Sequence, residues 1–105
     1  MSYNKSPLAF EDIREAFERA LAAPKGIRIP CSSRGAAINL RSRFNYLRKI
    51  SRAENRQIYD SSHPMYGKSM YDKLILRIPG RNEPDAAVLY IEPRSIEDFI
   101  IEEIQ

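Results

Sequence analysis

One hundred and five residues, 43% hydrophobic and 30% charged, suit one folded domain and leave too little chain for two independent cores. The longest apolar runs, 86–91 and 99–101, are far too short for a membrane span or a signal-peptide core, so residence in the cytoplasm is expected. A single cysteine, Cys31, excludes an internal disulfide and a cysteine-based zinc site; with His63 the only histidine, neither a metal nor a cofactor is expected. The net charge of +3 conceals a strong asymmetry. Residues 25–56 hold nine Lys or Arg against one acid, Glu54, a local net of +8 that leaves −5 for the rest of the chain.

The first element is a helix. Ser6-Pro7 supplies a cap hydroxyl and a proline for the first turn, and Phe10, Ile13, Phe17, Ala20 and Leu21 recur at helical spacing until Ala23-Pro24-Lys25-Gly26 ends the pattern. Residues 26–31 alternate as a brief strand, with Pro30 marking its end or an edge position. Ser32-Ser33 then caps a long second helix from about Arg34 to Tyr59. A break near Ser51 is the alternative, because Ser51-Arg52-Ala53-Glu54 fits a capping box.

Residues 60–68 read as a loop, and residues 71–78 and 86–91 as the two strands of a β-hairpin whose turn-rich tip carries Arg81 and Asn82. Ser95 and Asp98 cap a short terminal helix with Ile96, Phe99, Ile100 and Ile104 as its apolar stripe. The expected fold is α+β in the order α-β-α-β-β-α, a small three-stranded sheet packed with three helices. If the long helix splits at Ser51, the order of elements resembles that of a winged helix, a resemblance that no motif reinforces and that gives no function by itself.

Placed at about 100° per residue, Arg34, Arg41, Asn45, Arg48 and Arg52 gather on one side of the long helix, with Arg56 a step round and Lys49 alongside. Ala37, Leu40, Phe44 and Leu47 form an apolar arc beside them. The guanidinium row spans about 27 Å from Arg34 to Arg52, long enough to follow a phosphate backbone, and Asn45 has the donor and acceptor to pair an adenine edge. With one acid in the whole helix, i,i+4 self-pairing is nearly absent and neighbouring arginines repel, so a polyanion would relieve them. Lys25 and Arg28 precede the helix and join the row only if the first strand delivers them to the same face.

Tyr59, Tyr66 and Tyr71 alternate with His63 and Lys68, a composition suited to stacking on bases, with Tyr66 and Tyr71 the candidates; the competing expectation packs Tyr59 and Tyr71 at element ends. No glycine-rich phosphate loop and no oriented nucleophile pattern is present, so enzymatic activity is not expected. The sequence therefore predicts a non-enzymatic nucleic-acid-binding protein, DNA ahead of RNA, using Arg34, Arg41, Asn45, Arg48, Lys49, Arg52 and Arg56, joined by Lys25 and Arg28. The alternative is a protein-interaction module, a small inhibitor or adaptor docking on an acidic partner surface. A homodimer contact through Phe99 and Ile101 is the further option.

Overall fold

A computed structural model of the chain describes residues 10–94. Helix α1, Phe10–Ala22, leads into strand β1, Ile27–Pro30, and then into the 25-residue helix α2, Arg34–Ile58. A short 3-10 helix, Met70–Lys73, precedes strands β2, Leu74–Arg77, and β3, Val88–Pro93. The three strands form an antiparallel sheet in the order β1-β3-β2, so β1, with Pro30 at its end, is an edge strand. This is a small α+β fold with two described helices and the expected β-hairpin; the expected terminal helix and the dimer contact on it lie outside the described residues.

The helical stripes bury as their spacing requires. Ile13, Phe17 and Ala20 of α1 and Ala37, Leu40, Phe44 and Leu47 of α2 are buried, against Leu74, Leu89 and Ile91 from the sheet. Phe17 is the hub of this core, edge-on to Phe44 at 4.7 Å and stacked on Tyr71 at 4.5 Å between ring centroids. Leu89 and Ile91 face the helices, so Tyr90 and its register partners Arg28 and Arg77 lie on the opposite face of the sheet.

One glycine fixes how α1 meets the sheet. Gly26 has φ +83°, and a Cβ there would stand 2.2 Å from the Ile91 carbonyl oxygen. The chain leaves α1 pressed against β3, where no other residue fits.

The expected long helix stands while its split alternative falls away, and one strand boundary changes. Helix α2 runs unbroken through Ser51, so the winged-helix order, which needs a second helix there, does not arise. Ser51 is a helix-interior residue whose hydroxyl accepts a hydrogen bond from Ser69 Oγ at 2.9 Å. The hairpin's first strand begins at Leu74 rather than Tyr71. Ser69 and Asp72 form a capping box that winds 70–73 into the 3-10 turn: Ser69 Oγ accepts from Tyr71 N–H, and Asp72 Oδ2 accepts from Ser69 N–H at 3.0 Å.

Candidate nucleic-acid interface

Helix α2 is started by Ser33, whose hydroxyl accepts the Ala36 N–H at 3.0 Å. Its first residue, Arg34, places a cation at the positive end of the helix dipole. The structure shows what holds it there. The guanidinium donates to the carbonyl oxygens of Pro79 and Ala86, which flank the hairpin connection. Arg34 thus ties the hairpin to the start of α2.

Farther along, four residues at i, i+3, i+4 and i+7 form a polar seam against the segment 68–74. Arg48 Nη2 donates to the Leu74 carbonyl at 3.0 Å, and Arg52 donates to Asp72 Oδ1 through Nε at 3.0 Å and Nη2 at 2.6 Å. Ser51 meets Ser69, and Asn55 Nδ2 donates to the Lys68 carbonyl. Arg48 is well enclosed, its side chain 13% exposed, with its guanidinium carbon 5.9 Å from the centre of the Phe17 ring and Nε 3.8 Å from Asp72 Oδ1. Among the described residues, Arg48 Nε is a buried nitrogen without a hydrogen-bond acceptor.

Burial lowers the Arg48 pKa, Asp72 opposes the shift, and the charges of Arg52 and Arg94 reinforce it; the guanidinium nonetheless stays cationic at neutral pH. At Asp72, burial pushes the carboxyl upward. The hydrogen bonds from Arg52 and the Ser69 N–H, with the charges of Arg52 and Arg48, outweigh this and hold it below the ordinary carboxylate value.

The single guanidinium row expected from the sequence is therefore divided. Arg34, Arg48 and Arg52 turn their donors inward, because a long arginine stem reaches past the apolar arc to strand-end carbonyls and to Asp72. Asn45, Lys49 and Arg56 stay exposed, and Arg41 is half-exposed on their flank. Arg28 lies on the far face of the sheet, opposite Tyr90, so it does not join the helix. Lys25 is exposed in the turn between α1 and β1.

The aromatic candidates divide too. Tyr71, 4% exposed, stacks on Phe17 and donates its hydroxyl to Glu18 Oε2 at 2.8 Å, so it is a core residue and no platform for a base. Burial and the Glu18 carboxylate both raise its pKa. Tyr66 is at the surface of the 59–69 loop. That loop is ordered locally by Asp60, which accepts the Ser62 N–H and hydroxyl, and by His63, stacked on Tyr59 at 4.1 Å and accepting the Met65 N–H at Nδ1.

Two residues that matter lie outside the set of candidates drawn from the sequence. Alternation places Asp72 in a strand, although Ser69-x-x-Asp72 carries a capping-box signature. Tyr46 is 61% exposed on the outer face of α2, one position past Asn45 and outside the apolar arc, where helical spacing alone puts it.

Cys31 follows β1 directly, half-buried, its thiol donating to the Ile29 carbonyl at 3.5 Å beside a cleft of about 530 Å³ lined by Pro30, Ala36 and Leu40. Burial raises its pKa against the lowering effect of the Leu89 backbone, so little thiolate forms at neutral pH. Among the described residues no group of three or more His, Cys, Asp or Glu side chains is placed to hold a metal ion, and no helix is long and apolar enough to cross a membrane. Comparison with protein-family models, with curated proteins and with solved structures finds no match to this chain.

Proposed function

We propose that the protein binds nucleic acid through the outer face of α2, with Arg41, Lys49 and Arg56 contacting phosphates and Asn45 offering a side-chain amide between them. The observation that carries this reading is the excess of basic residues on the outer side of α2. Even with Arg34, Arg48 and Arg52 turned inward, the outer side of this 25-residue helix keeps its cations with Glu54 as the helix's one acid, whereas α1 exposes Glu11, Asp12, Glu15 and Glu18. A surface so polarised attracts a polyanion and orients it toward α2.

The test is fluorescence anisotropy of labelled oligonucleotides titrated with the full chain at a series of salt concentrations. Replacing Arg41, Lys49 and Arg56 together by Ala should weaken binding and flatten the salt dependence. The log–log slope should fall by about 0.9 for each duplex phosphate no longer neutralised, or about 0.7 for each phosphate of a single strand. Binding that ignores salt, or a triple variant that binds as the parent does, overturns the proposal.

A second reading has its own observation. Ile38 and Ile58, the latter 70% exposed, add apolar area to the same helix, which suits an acidic protein surface with an apolar centre. Nuclease-treated protein that retains a stoichiometric partner after purification would favour it.

A further inference from the structure

The chemistry of the outer α2 face is not that of a simple phosphate rail. Tyr46, the most exposed tyrosine among those described, stands at its edge, about 60° round the helix from Lys49 one turn after and from Arg43 one turn before. Its ring borders a surface hollow of about 360 Å³ shared with Ile13, Ser42 and Arg43. The residues around that hollow are mixed: a largely buried isoleucine from α1 with a tyrosine, a serine and an arginine from α2. Ser42 already donates its hydroxyl to the Ile38 carbonyl at 3.2 Å, which leaves the oxygen's lone pairs as acceptors.

Resting on the nucleic-acid reading above, we infer that Tyr46 is a stacking seat for an unpaired base, so the ligand of this face is single-stranded nucleic acid. An aromatic ring exposed on a helix flank takes a base only if that base is free of its own stack. Duplex bases are not, while every single-stranded base has an open π-face. An exposed ring one turn from an exposed cation, Lys49, on a basic helix is the combination that single-strand binders use: charge follows the backbone and the ring holds a base, with little demand on sequence. The contribution of Tyr46 is separable from that of the cations, because removing the ring removes no charge.

The probes are fluorescein-labelled oligothymidylate, an abasic strand of equal length, oligouridylate, and a duplex, each titrated with the full chain at two low salt concentrations. The parent should bind oligothymidylate about fivefold or more tighter than the abasic strand. Tyr46→Ala should erase that difference while leaving the thermal melt and the salt slope unchanged, and Tyr46→Phe should restore it. Oligouridylate offers the same open π-faces and should likewise bind tighter than the abasic strand.

Equal binding of base-bearing and abasic strands, parent-like affinity in Tyr46→Ala, or a preference for the duplex overturns the stacking seat while the phosphate-binding face stands. Binding to none of the four probes overturns both.

Discussion

Helix α2 carries cations on two sides, and the structure puts them to different uses. On the side facing the 3-10 turn and the hairpin, Arg34, Arg48 and Arg52 meet carbonyl oxygens and Asp72, and they act as bolts between elements. On the outer side, Lys49 and Arg56 stay exposed with Asn45 and Tyr46 beside them. The same kind of charge thus stabilises the fold on one side and faces solvent on the other. The difference lies in what stands opposite each side chain. Strand ends and a 3-10 turn present acceptors that arginine's fork can satisfy. Open solvent presents only water, which hydrates the cation without fixing its position.

The comparison can be broken most sharply at Arg48. Arg48→Ala removes a hydrogen bond to the Leu74 carbonyl and one of the two cations beside Asp72, and it should cost about 2–4 kcal/mol of stability by urea denaturation. What remains folded should keep its affinity for oligonucleotides. A variant of unchanged stability and weakened binding would move Arg48 to the outer set.

Asp72→Asn tests the same seam from the other partner, with a smaller expected loss of about 1–2 kcal/mol at neutral pH because Arg52 and Asp72 are both partly exposed. Its pH dependence has a definite sign. The folded carboxyl titrates below its unfolded value, so the stability it adds is complete above about pH 4 and is lost as pH falls through the folded value. Urea midpoints of parent and variant should therefore differ at pH 7 and converge toward acid pH; a constant difference would show that the capping of the 3-10 turn, rather than the charge, is what Asp72 contributes.

The smallest stability effect belongs to Lys49→Ala, which should stay within about 0.5 kcal/mol because the side chain is exposed. Its binding defect should then exceed its stability defect, the reverse of Arg48→Ala. These two neighbours in sequence form the cleanest pair in the molecule.

Both described helices, the edge strand at Pro30 and the hairpin were legible in the sequence, because apolar spacing, the Ser33 cap and turn residues are local signals. The unbroken passage through Ser51 was less so. Ser51-Arg52-Ala53-Glu54 satisfies the capping pattern, yet hydrogen bonds from α2 to the segment 68–74 hold the helix together on both sides of that point. Tyr71 illustrates the same limit. Alternation extends the strand back to it, but the Ser69–Asp72 box and the stack on Phe17 give it a turn conformation and a core position.

At the basic helix the division is between number and direction. Composition determined that α2 would carry an excess of positive charge beside an apolar stripe, since both follow from residue type and a fixed angular step. Only tertiary structure decided which arginines remain available. An arginine stem is long enough for its guanidinium to swing to either side of the helix. The side it takes depends on acceptors at Asp72, Leu74, Pro79 and Ala86, the last of them 52 residues along the chain from Arg34.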